Sequence, residues 1–386
     1  MRVDGSMTVY LDHNASAPLL PQARDAILHA LDLVGNPSSV HGQGRALRAV
    51  IDGAREQVAA LAGAEARQVV FTGSATEAIT QAIVGGVKAF GIDRVLVCAT
   101  DHAATLKAAD ASGVPVQVIG VDAQGTIDLD VLRQQIDRAG EAGEKLLVAV
   151  SWVNNETGLV QPRARIEAMV GPTPHILVID AVQAFGKRSL DFAASATDMM
   201  AVSAHKIGGP AGIGALLVKG HADVVRLVPG GGQEQGRRGG TESAALIAGF
   251  GAACAEIGRA LDFKGACALA SDFETRLRAL APDVVVFSQG AERIGTVVNF
   301  AVPGIRNTVA MMSLDLAGIA VSSGSACSSG KVGRSHVLAA MGVAPDLSEC
   351  GLRVSLGWSS TARDIDAFFE AYETVLSRHR RKGAAA

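Results

Sequence analysis

From residue 69 to residue 218 the chain repeats one pattern: a short apolar run, then a stretch with helical periodicity. The runs are 69–72, 94–99, 114–119, 145–153, 175–180, 198–203 and 213–218. They are mostly apolar, as the buried strands of a covered parallel sheet are. Strand after helix after strand implies a mainly parallel, seven-stranded sheet in an α/β domain.

Before this block, Val9 to Leu11 reads as a short strand, and Asp12-His13-Asn14-Ala15-Ser16-Ala17-Pro18 as turn chemistry. Pro21 then opens a helix whose apolar face is expected to include Ala26, Ile27, Ala30 and Leu31. Beyond a helix running from near Thr241 towards residue 262 the texture changes to short strands and helices. That change implies a smaller α+β domain. The expected division is 16–255 for the large domain, with 1–15 and 256–386 forming the small one.

Composition narrows the function classes. A net charge of −3 over 386 residues supplies no basic field for nucleic acid or an anionic membrane. No apolar segment runs uninterrupted for about 18 residues, and the first residues lack the order of a signal peptide. A cytoplasmic protein is therefore expected. Five cysteines, with no C-x-x-C spacing, argue against a disulfide framework or zinc knuckle.

The chemistry gathers at strand ends, where open α/β sheets bind ligands. The first strand runs into Gly73-Ser74-Ala75-Thr76-Glu77 and a helix, which suits phosphate and equally suits a capping box. The next ends at Thr100-Asp101-His102. Later strands end at Asn154-Asn155-Glu156-Thr157-Gly158 and at Asp180-Ala181-Val182-Gln183. Asp180 directly follows an apolar run, so its carboxylate wants a cationic or N–H partner. Finally, Ser203-Ala204-His205-Lys206 delivers a lysine onto Gly208-Gly209-Pro210, whose glycines are expected to let backbone approach a ligand. A phosphate cradle, a flat imidazole, a desolvated carboxylate and a Schiff-base lysine together match the requirements of pyridoxal 5′-phosphate.

One outlier remains. Ser323-Gly324-Ser325-Ala326-Cys327-Ser328-Ser329-Gly330 surrounds a cysteine with small polar residues and predicts an exposed, mobile loop over about 322–335. Lys331 and Arg334 nearby favour thiolate character, so a nucleophile is expected at Cys327.

These segments, with Asn36-Pro37-Ser38-Ser39-Val40-His41 and Gly230-Gly231-Gly232-Gln233-Glu234, resemble the cysteine desulfurases of the NifS/IscS-like group I. That group lies within the class V, fold-type I pyridoxal-phosphate enzymes, and the likeness runs from about residue 9 to 370. The resemblance implies that Lys206 forms the Schiff base, Asp180 pairs with the ring nitrogen, Gln183 bonds the ring hydroxyl and His102 stacks on the ring. Ala75, Thr76, Ser203 and His205 would hold the phosphate. Asn155 would contact cofactor and substrate, with Arg353 gripping the substrate carboxylate. Thr241 would reach the neighbouring subunit's phosphate, implying a homodimer. Cys327 would take sulfur from L-cysteine as a persulfide, leaving alanine. An acceptor or scaffold protein would then receive the sulfur for iron–sulfur cluster or other cofactor assembly. His13 and Trp358 depart from the family pattern, standing where Asn and Arg are usual. A selenocysteine lyase and a non-catalytic scaffold are the rival readings.

Overall fold

The computed structural model describes residues 9–323 and 334–384, with side chains to 379. Its strands are β1 (Val9–Tyr10), β2 (Val69–Thr72), β3 (Arg94–Cys98), β4 (Val116–Ile119), β5 (Leu146–Ser151) and β6 (Ile176–Asp180). They continue with β7 (Met199–Ser203), β8 (Gly214–Val218), β9 (Val285–Val286), β10 (Val297–Ala301), β11 (Ile319–Ala320) and β12 (Gly351–Ser355). Strands β2 to β8 form one seven-stranded sheet in the order β2-β8-β7-β6-β5-β3-β4. Neighbours from β7 through β4 pair parallel, whereas β8 runs antiparallel to both β2 and β7. This is the mainly parallel α/β sheet expected for a fold-type I enzyme.

Every residue of β2 and of β5 to β8 is buried. The two-residue period of a strand divides them between two layers. Leu96, Val148, Leu177, Ile179, Met200 and Val202 belong to one core. Val95, Leu147, Val178, Met199 and Ala201 belong to the core on the opposite face. A further core joins Leu11, Phe273, Phe300, Val354, Phe368 and Tyr372, over an antiparallel sheet ordered β12-β10-β9. The segment after β1 ties this second sheet to the large one: Asp12 bridges Ser355, and Ala17 N–H donates to the His205 carbonyl at 2.7 Å.

Two expectations need correction. In the helix Pro21–Leu31 the buried residues are Ala23 and Ala30, whereas Leu31 is 65% exposed. Gly208 and Gly209 serve packing within the chain. A Cβ at Gly208 would lie 2.7 Å from the Leu20 side chain, and one at Gly209 would lie 2.8 Å from Ala204. Among the described residues no single helix is long and apolar enough to cross a membrane.

Candidate active site

The carboxyl ends of β3, β5, β6 and β7 lie side by side along one edge of the sheet, and each loop presents its side chains there for a local reason. After β3, the buried Asp101 accepts from Cys98 N–H at 2.8 Å and Ser151 N–H at 2.7 Å, stapling β3 to β5. Burial pushes its carboxyl up to about 7. His102 then caps the helix Ala103–Asp110, its Nδ1 accepting from Ala104 N–H at 3.1 Å. That bond fixes the tautomer with the proton on Nε2 whenever the ring is neutral.

After β5, Asn154 makes the turn. Its Nδ2 donates to the Thr100 carbonyl at 2.9 Å, while its Oδ1 accepts from Glu156 and Thr157 N–H groups. The neighbouring Asn155 is thereby set on the cleft wall. At the end of β6, Asp180 Oδ1 accepts from Val182 N–H at 3.0 Å, and burial raises its carboxyl above the usual range. Gln183 Nε2 donates to the Asn14 carbonyl at 2.9 Å.

After β7 a single 3-10 turn, Ala204–Lys206, places the lysine. Lys206 Nζ donates to the carbonyls of Asn14 at 2.6 Å and Ala15 at 2.8 Å. His205 lies 3.4 Å from Ser16 Oγ; burial first, and Lys206 second, push its imidazole down to about 4. It is therefore neutral at pH 7.

Opposite these groups, a helix begins at Ala75. Ser74 Oγ accepts from Glu77 N–H at 3.1 Å, and Glu77 reaches back to Gly73 N–H at 2.8 Å. The capping reading and the phosphate reading are thus compatible, because the first helical amides still lack intrahelical partners. The axis continues through a π-turn at Gln81–Gly85 to Phe90. The helix start can abut β8 only because residue 214 is glycine: a Cβ there would lie 2.7 Å from Ala75 N.

Between these walls lies a cleft of about 1090 Å³, solvent at its mouth included. Ala75, Thr76, His102, Asn155, Gln183, Ser203, His205 and Lys206 all line it. Arg353 stands just behind, 1% exposed, with Nη1 donating to the Asn155 carbonyl at 2.9 Å and Nη2 to Asp12 at 2.6 Å. Thr241 is exposed and does not line this cleft. Cys327 lies outside the described residues. Sequence reasoning missed Asn14, Ala15 and Lys187, which hold the lysine side of the cleft; the turn residues after Asp12 were the only signal for the first two.

A model of the family Aminotransferase class-V matches residues 9–368. The chain belongs to this family. It is 37% identical to a cysteine desulfurase of Cereibacter sphaeroides over 379 residues, covering 96% of each chain. It is 34% identical to an IscS-like cysteine desulfurase of Mycobacterium tuberculosis, covering 98% of each. A solved structure, that of a NifS-like protein from Rickettsia africae, superposes with a TM-score of 0.86 at 31% identity. That likeness covers 96% of this chain and 100% of the other.

The class V enzymes of this group depend on pyridoxal 5′-phosphate, and the cleft fits that group. Asp180 is a desolvated carboxylate with one oxygen bonded to Val182 N–H and the other lacking a hydrogen bond from the described residues. Such a group calls for an N–H cation. The helix start at Ala75 offers unpaired amides of the kind that bind phosphate. The guanidinium of Arg353 beside the cleft gives it a positive field suited to phosphate and carboxylate.

Proposed function

We propose that the protein is a cysteine desulfurase that converts L-cysteine to L-alanine and passes the sulfur on through a persulfide at Cys327. The observation that carries this reading is the convergence of Lys206, His102 and the desolvated Asp180 at one sheet edge, in a chain 37% identical to a cysteine desulfurase. Pyridoxal 5′-phosphate, when bound, supplies the electron sink that makes the substrate Cα proton removable.

The protein's own residues divide the rest of the work. Lys206 would anchor the cofactor and, once displaced by substrate, hold and move the Cα proton. Asp180 would keep the ring nitrogen protonated, and His102 would cover the ring face. Ala75, Thr76, Ser203 and His205 would take the phosphate, with Gln183 at the ring hydroxyl. Asn155 and Arg353 would orient the substrate carboxylate, Arg being suited to a two-point grip. The Cys327 thiolate would then attack the substrate sulfur. The Cβ–S bond breaks, an S–S bond forms, and the displaced electron pair ends in a C–H bond of alanine. No external oxidant or reductant is needed.

The described residues flanking the Cys327 segment support its place in this scheme. Ser322 pairs with Arg353 through backbone bonds, His336 Nε2 lies 2.9 Å from the Asp101 carbonyl, and Ser335 Oγ donates to the buried Glu156 at 2.5 Å. We also assign a homodimer, to which Thr241 contributes across the interface. The exposed Leu31, Val34 and Val40 are apolar surface that a second copy would cover. A sulfur-acceptor or scaffold protein, a cytoplasmic setting and the domain division 16–255 against 1–15 with 256–386 complete the reading. The separate core around Phe273 and Phe300 supports that division.

The test is incubation of the purified, cofactor-loaded protein with L-cysteine. Alanine should appear, with an equal amount of sulfur recoverable from Cys327. Sulfide and pyruvate in place of alanine would refute the assignment, and full sulfur transfer by Cys327→Ser would refute the role of that cysteine.

A further inference from the structure

A second lysine stands beside Lys206, and the scheme above gives it nothing to do. Lys187 lies in the turns that follow β6, and its Nζ donates to Asn14 Oδ1 at 3.3 Å and Gln183 Oε1 at 3.2 Å. Asn14 is also the residue whose carbonyl holds Lys206 at 2.6 Å, while its Nδ2 donates to the Asn155 carbonyl at 3.1 Å. Its own N–H donates to Ser355 Oγ at 2.9 Å, so the amide is fixed from behind. One asparagine therefore joins both amines, the Gln183 amide and the substrate-side Asn155.

Among the described residues Lys187 has no anionic neighbour. A small enclosed pocket is lined by both lysines, His13, Ile257, Leu356 and Trp358. The charged or titratable groups facing Lys187 are Lys206 after β7, Arg353 on β12 and His13 after β1. Asp364, which caps Thr361, opposes the lowering of His13, which burial and Lys187 together push down to about 4. Lys187 is partly exposed as a residue, yet protein surrounds its amine. That desolvation first, then Lys206 and Arg353, draws it down to about 7.

We infer that Lys187 is a positioning residue for the desulfurase reaction: through Asn14 it fixes the seat of Lys206, and its charge opposes protonation at the Lys206 nitrogen. Two lysines held on one asparagine, Lys187 by its side-chain oxygen and Lys206 by its backbone carbonyl, cannot both be cations at little cost, so each favours the neutral form of its neighbour. The inference rests on the proposed function, since it assigns Lys187 to the same cleft.

The test compares wild type, Lys187→Met and Lys187→Arg, each loaded with pyridoxal 5′-phosphate, by pH titration of the visible absorbance of the bound ring. The same series is measured for kcat and KM against pH. Removing the cation in Lys187→Met should move the absorbance titration upward by about one pH unit, a typical effect of a close like charge. Lys187→Arg, charged at every pH, should leave it at or below the wild-type value. The acid limb of kcat should follow the same order, with KM changing less. Titrations that superimpose in all three proteins, or that shift the same way in both variants, would overturn the inference. A wild type that holds the ring on Lys206 but forms no alanine would instead sink the desulfurase reading, and the absorbance series would still judge Lys187.

Discussion

Arg353 shows how much of a side chain's task is set by what it leaves unpaired. Two of its nitrogens are held by Asp12 and the Asn155 carbonyl, while its buried Nε has no partner among the described residues. A substrate carboxylate would find a cation already aimed and desolvated. Lys at this position keeps the charge but not the fork, so Arg353→Lys should lower kcat/KM by about 10- to 100-fold, mostly through KM. Steady-state kinetics on L-cysteine would check this; an unchanged KM would remove Arg353 from substrate binding. His13 makes a prediction about pH. Its imidazole is 2% exposed and titrates at about 4 in the fold, against about 6.5 when unfolded. The depressed value means the unfolded chain binds the extra proton first. Stability is thus lost as pH falls from about 6.5 to about 4, by on the order of 3 kcal/mol at the acid end. Denaturant melts of His13→Asn should lose much of that slope. Lys206, Asp180 and His102 were legible in the sequence because each sits where a recognisable strand stops. Asn14 and Lys187 were not. They act through backbone carbonyls and amides brought together from distant parts of the chain, and such contacts leave no mark in local composition.

Elements were read best where burial left no choice. All seven strands of the large sheet appear near their expected positions, because mostly apolar runs of that length suit a covered sheet, although the edge strand β4 leaves Val118 55% exposed. Their ends were less clear. The third run narrows to Val116–Ile119, since Pro115 offers a carbonyl but no N–H to the ladder. The reversal of β8 follows from the short segment 204–213, too brief for a crossover. The helix Pro21–Leu31 misled because Leu28 and Leu31, apolar by type, face outward at 48% and 65% exposure. Gly214 sets the distance between β8 and the helix that begins at Ala75. Gly214→Ala should cost about 1–3 kcal/mol through overpacking and weaken cofactor affinity more than it changes kcat. Melting curves and ring-binding titrations read those effects separately, and normal affinity would show that the helix start does not hold the phosphate.

At the scale of the molecule, the loop 229–241 is pinned by Arg237 to Asp223, by Arg238 to Glu77 and, most deeply buried, by an ion pair between Glu234 and Arg55. Arg55 grips Glu234 with two bonds of 2.7 Å, and Glu234 also accepts from Phe71 N–H at 2.8 Å. The pair holds Glu234 and Gln235 at φ values of 49° and 57°, a region that L-residues other than Asn and Asp seldom adopt. Arg55→Met leaves a buried carboxylate unpaired and should destabilise the fold by about 3–5 kcal/mol. If the loop presents Thr241 to a second copy, the same variant should also loosen the dimer, which sedimentation would reveal. The site assignments depend on a cofactor held at Lys206, and borohydride reduction of the purified protein followed by peptide mass mapping tests that directly. The account predicts a yellow protein whose reduced pyridoxyl group maps to the peptide containing Lys206. A protein that takes up no ring, or one whose ring maps to Lys187 instead, would contradict it.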